Sequence, residues 1–285
     1  MLIYKEYLEL LFFKRFGQFN FYLSLAAYKL QKGVEMQLKL MIMLAAAVLG
    51  VFGPEPGQFK AVEHAALKKI FEPAGSLAAG TSLNWSGYVA SGQDLGAVTG
   101  TWKIPAVRGN KNFKTDAAWV GIGGVSHADL IQAGTEAVTG VPGKVGYLAW
   151  IELLPDYAQP VPLAVHKGDS VTVNIRHGAG AAWQIVLRNN STGQEFSKQV
   201  SYQSSLSSAE WIEEMPSGAD ANLLPLDNFG AVNFSGCYVW KNGVKLSAGA
   251  AGSRPVVLVS QQHKILAEPL GLKSRGTAFA VKRLR

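Results

Sequence analysis

The sequence predicts an all-β protein, an antiparallel β-sandwich. Three observations carry this. Glycine (31) and proline (12) supply frequent turns in a chain of 285 residues, against a wholly helical architecture. Short runs of β-forming residues recur at intervals of roughly 10–15 residues with turn signals between them. No long stretch carries the 3.6-residue period of an amphipathic helix. Hydrophobic residues make up 48% and charged residues 16%, enough apolar material for a core and against wholesale disorder.

The elements follow in order. Val98–Ile104 ends at Pro105, and Ala117–Ile122 ends at Gly123-Gly124. Tyr147–Leu154 ends at Pro155. Val171–Ile175 alternates after the turn 167–170. Trp183–Arg188 leads into the turn 189–193, and a further strand runs over 195–202. Ser207-Ser-Ala-Glu210-Trp-Ile-Glu-Glu214 is ambiguous. Ser207-x-x-Glu210 imitates a capping box and reads as a short helix. A strand would instead place Glu210, Ile212 and Glu214 on one face.

The β-domain is expected over 81–285. Before it, Met36 with Lys39, an apolar run over 40–52 and then Pro54 reads as a secretory signal over 36–53. The run is too short to span a bilayer of about 30 Å. A signal should open a chain, so residues 1–35 are expected to be a mis-annotated extension preceding the true start. Residues 54–80, with a partly helical stretch over 59–71, read as a propeptide or linker. The expected location is extracellular, with no stable membrane span once the signal is removed.

The net charge is +7, unevenly spread. Residues 81–240 hold nine Lys/Arg and thirteen Asp/Glu, whereas 241–285 hold nine and one. The motif-rich middle is thus acidic, against a nucleic-acid reader. The lone cysteine, Cys237, excludes an intrachain disulfide and a cysteine-rich metal cage. H-E-x-x-H, G-x-S-x-G and the P-loop signature are absent, and the five histidines lack zinc-ligand spacing. Serine, cysteine and zinc hydrolases are therefore unsupported, and neither metal nor cofactor is expected.

Carboxylate and amide chemistry remains. Apolar neighbours such as Trp211 and Ile212 would partly desolvate the acids of 210–214, as acid/base work at acid pH requires. In Leu130-Ile-Gln132-Ala-Gly134-Thr-Glu136, the amide offers a donor for an oxyanion and an acceptor for water.

Several motifs then occur in series: Asn84-Trp85-Ser-Gly87, Thr99-Gly-Thr-Trp102, Ala118-Trp119-Val-Gly-Ile122, Ile131-Gln132-Ala-Gly134, Ala149-Trp150-x-Glu152, Gly168-Asp169-Ser170, Ala209-Glu210-Trp-Ile-x-Glu214 and Leu224-Pro-Leu-x-x-Phe229-Gly230. This series resembles the glutamic peptidases, or eqolisins, over about 84–237. The resemblance implies a double-sheet, jelly-roll-like sandwich with a concave peptide-binding cleft, polypeptide substrates and a monomer. It implies a catalytic Gln132 and Glu214, with Glu214 and not Glu210 as the base. It makes 208–215 a strand. It also implies that Trp85, Trp119, Glu136, Trp150 and Glu152 line or brace the cleft. The chain departs from fungal members at Gly123 and Leu148, where they carry acids, and in having no disulfide.

Two competing readings stand beside this one. One is a non-catalytic sandwich binding carbohydrate or peptide through its tryptophans. The other is a glycosidase using Glu152 and Glu214. The peptidase reading requires Gln132 and Glu214 to converge on one open groove.

Overall fold

The computed structural model describes residues 62–63, 80–109, 111–141, 144–218 and 222–284. The expected extension, the signal and most of residues 54–80 lie outside these. The strands are β1 (Val62–Glu63), β2 (Gly80–Ser82), β3 (Trp85–Ser91), β4 (Leu95–Lys103), β5 (Thr115–Gly123) and β6 (Leu130–Val141). Then come β7 (Lys144–Leu153), β8 (Gln159–Pro160), β9 (Ser170–His177), β10 (Ala182–Asn189), β11 (Glu195–Ser201) and β12 (Ser208–Glu214). The remainder are β13 (Ser217–Gly218), β14 (Ala231–Lys241), β15 (Val244–Ser247), β16 (Arg254–Val259), β17 (Ile265–Pro269) and β18 (Phe279–Arg283).

All but β1 and β13, which pair with each other, join one ladder ordered β11-β10-β9-β4-β14-β18-β17-β16-β3-β12-β5-β6-β7-β8, with β15 on β14 and β2 on β16. The pairings are antiparallel except β2 with β16. The ladder folds over so that two layers bury their facing side chains, the solution expected when each sheet has one apolar face. From one layer come Val98 and Trp102 (β4), Val171 and Val173 (β9), Ile185 (β10) and Phe234 (β14). From the other come Val120 (β5), Ile131 and Ala133 (β6), Ile151 (β7) and Trp211 (β12). Two indoles stitch the layers: Trp102 Nε1 donates to Thr135 Oγ1 at 2.8 Å, and Trp211 Nε1 donates to the Thr99 carbonyl at 2.8 Å.

The helical reading of 207–214 is overturned. β12 is a strand paired with β3 on one side and β5 on the other, and tertiary pairing overrides the local capping signal. The partly helical reading of 59–71 fails at its two described residues, since Val62 and Glu63 are a strand opposite Gly218 and Ser217.

Candidate active site

Side chains on β12 alternate. Ala209 and Trp211 point into the sandwich, and Glu213 shares their parity. Glu210, Ile212 and Glu214 point the other way, onto an outer face where Ile212 packs with Trp85, Val89, Ala117, Trp119, Leu130 and Trp150. The register carries that face across the sheet. Glu214 lies opposite Ala117, and Ala117 opposite Glu136. Ile212 lies opposite Trp119, then Gly134, then Trp150. Glu210 lies opposite Gly121, then Gln132, then Glu152. All seven residues singled out from the sequence thus share one face of one sheet.

Glycine makes this face possible. A Cβ on Gly134 would lie 2.4 Å from the Ala118 carbonyl oxygen, 2.6 Å from Trp119 Cβ and 2.9 Å from Trp150 Cζ2. The bare backbone at Gly134 is what lets Trp119 Cβ and the Trp150 ring approach it so closely. Trp85 meets Trp119 edge to face, centroids 4.9 Å apart.

Each proposed reacting group has its own orienting partners. Glu214 Oε2 accepts from Trp119 Nε1 at 2.8 Å, and Oε1 from Asn84 Nδ2 at 3.4 Å. Asn84 is held in turn, since Ser82 Oγ donates to its Oδ1 at 2.9 Å. Gln132 Nε2 donates to Glu152 Oε2 at 2.6 Å. A carboxylate only accepts, so this bond fixes which way the amide faces. Glu136 Oε1 accepts from Thr115 Oγ1 at 2.6 Å.

The outer face is not open. Gln132, Glu214, Trp85, Trp119 and Trp150 are each 0% exposed, Glu152 1% and Glu136 4%. The expected groove is present as a shared face but covered. In addition, the row directly across from Gln132 holds Glu210 and not Glu214. Glu210 is fully buried, and burial pushes its carboxyl well above the ordinary glutamate range. Both its oxygens are buried with no N–H donor, and the Ser208 hydroxyl only partly offsets that burial. Burial thus favours the protonated form of Glu210, whereas the Trp119 and Asn84 N–H groups point at Glu214.

Sequence reasoning did not assign Asn84 a role, although its motif was legible. It also missed Asp116 and Glu213 on the inward face of β5 and β12. Both are buried, and burial raises both carboxyls well above the ordinary range. Nothing in a sequence marks an acid as inward-facing unless the strand parity is known.

The comparisons with known proteins agree with this fold. A family model described as the Peptidase A4 family matches residues 83–273. Among solved structures, scytalido-glutamic peptidase with a transition state analog inhibitor is similar with a TM-score of 0.62 and 24% identity, over 70% of this chain and 98% of that one. SCP-B, a member of the eqolisin family in a complex with the tripeptide Ala-Ile-His, gives 0.59 and 22% over 70% and 98%. Aspergilloglutamic peptidase from Aspergillus niger gives 0.53 and 25% over 60% and 99%. Among curated proteins none matches.

Proposed function

The chain belongs to the peptidase A4 family and is a glutamic-type peptidase acting on polypeptides, and from that premise we propose that it is a secreted acid endopeptidase working through Gln132 and Glu214. One observation supports the dyad best. The two side chains share one face, and each is locked by a separate partner, Glu152 for the amide and Trp119 for the carboxylate. In this reading, Glu214 takes a proton from a water molecule that attacks the scissile carbonyl. The Gln132 amide stabilises the oxyanion, and Glu214 then returns the proton to the leaving amine. No covalent intermediate forms. Trp85, Trp119 and Trp150 give the peptide an apolar floor, and Glu136 and Glu152 brace it.

The covered face gives this reading a second part. Residues 54–80 act as a propeptide, and the active form arises when the outer face is uncovered. The pairing of β1 with β13, just beyond Glu214, supports this. Secretion by the 36–53 signal, with translation starting at Met36, completes the proposal. Among the described residues no helix is long and apolar enough to cross a membrane.

The test is hydrolysis of denatured casein across acid to neutral pH, with the full chain first held at acid pH. Gln132→Ala should lower the rate by about 10²–10³, the usual effect of losing an oxyanion donor, and Glu214→Ala at least as much. A Glu214→Ala protein with the full rate would refute the dyad. Mass spectrometry of the acid-treated and secreted chains checks whether the mature N-terminus falls near residue 80 and whether residues 1–35 are ever present.

A further inference from the structure

Glu213 and Asp116 sit back to back with the proposed site, on the opposite face of the same two strands. Glu213 lies opposite Ala118, two residues from Asp116 on β5, so the two inward side chains are diagonal neighbours. Their carboxyls act on each other: Asp116 helps push Glu213 upward, whereas Glu213 draws Asp116 back down, the asymmetry of a proton carried by Glu213 and offered to Asp116. No N–H or hydroxyl donor serves either Glu213 oxygen or Asp116 Oδ1. Two carboxyl groups bond only if one carries a proton.

Charges around the pair favour keeping that proton. The charges of Asp227, from the segment before β14, and of Glu136, on the other face of β6, both push Asp116 upward. Glu214, on β12 itself, acts on Glu213. Tyr147, on β7, feels both Asp116 and Asp227. The nearby cations Lys114 and Arg283 act on Asp227. The segment is also structural: Thr115 N–H donates to the Pro225 carbonyl at 3.0 Å, and Asp227 N–H to the Thr115 carbonyl at 3.0 Å.

We propose that Asp116 and Glu213 share one proton, that this proton keeps the end of β12 seated on β5 and so positions Glu214, and that its loss toward neutral pH switches the peptidase off. The proposal rests on Glu214 being the base. When the proton leaves, two carboxylates face each other in the sandwich interior, where neither water nor a cation offsets them. The strand end then gives way at the residue preceding Glu214. Asp116 and Glu213 are positioning residues that never touch the peptide.

The experiment follows activity and tryptophan fluorescence of the full chain, activated at acid pH, from acid to neutral pH. Each variant is normalised to its own acid plateau. In Glu213→Gln the amide keeps an N–H donor for Asp116 at every pH, and in Asp116→Asn the amide does the same for Glu213. Both should retain activity and native fluorescence down to a proton concentration about tenfold lower than wild type, one pH unit. Midpoints equal to wild type would overturn the proposal. Should either variant fail to fold, wild-type infrared spectra decide. A carboxylic C=O band must persist above the ordinary carboxylate range and vanish together with activity, whereas its loss while activity remains overturns the idea. Glu214→Gln separates the two readings: activity in that variant refutes the base, while the Glu213→Gln midpoint bears on the shared proton alone.

Discussion

At the residue scale, the proposed dyad makes the hydrogen bonds to Gln132 and Glu214 the ones expected to govern activity. Trp119→Phe keeps an aromatic ring against Trp85 but removes the N–H held by Glu214. A bond to a charged group is worth about 1.5–3 kcal/mol, so kcat should fall about 10- to 100-fold while the far-ultraviolet circular dichroism stays native. Glu152→Gln allows the Gln132 amide to turn over, because a glutamine can either donate or accept. Its kcat should fall more than its KM rises, read from steady-state kinetics on a peptide. These roles were partly visible in the chain. Gln132, Glu214 and the tryptophans stand in recognisable motifs, whereas the Asn84 clamp and the Glu152 bond join residues far apart in sequence that only the register brings together. The tryptophans also divide in a way composition hides. Trp85, Trp119 and Trp150 lie on the outer face, while Trp102, Trp183 and Trp211 fill the interior.

At the element scale, the strands whose two faces differ were the legible ones. β9 and β10 alternate between buried and less buried residues, and their bounds match the expected runs closely. β12 is the counter-example: all seven of its residues are buried, so no polar face survives to show a period of two. Its three acids imitated a solvated helix for that reason. The same double burial makes the sheet unforgiving. Gly134→Ala would drive a methyl into the Ala118 carbonyl, Trp119 Cβ and the Trp150 ring. Overpacking of this kind costs about 1–3 kcal/mol or more, and thermal unfolding should show a Tm several degrees lower even for this isolated methyl.

For the whole molecule, buried acids set the direction of stability with pH. The carboxyls of Asp116, Glu210 and Glu213 are all raised, chiefly by burial. The folded state therefore keeps protons that the unfolded chain releases above the ordinary carboxylate range. Stability is full below that range and declines as pH rises toward the raised folded values, by up to ~1.4 kcal/mol per pH unit for each retained proton. Urea midpoints should be highest in acid and fall toward neutrality; a rising trend would contradict the burial of these groups as acids. The sandwich itself was readable from turns and alternation, but the covering of its outer face was not, since no local pattern announces what lies across a sheet. If residues 54–80 are removed as the proposed propeptide, the short β1–β13 ladder bears on their release. Two rungs of main-chain bonding are too few to hold a free peptide, so this contact persists through covalent continuity with β2. A single cut within 64–79 would exchange an effective concentration in the millimolar range for the dilute bulk. Departure would then be spontaneous and, in a large volume, one-way.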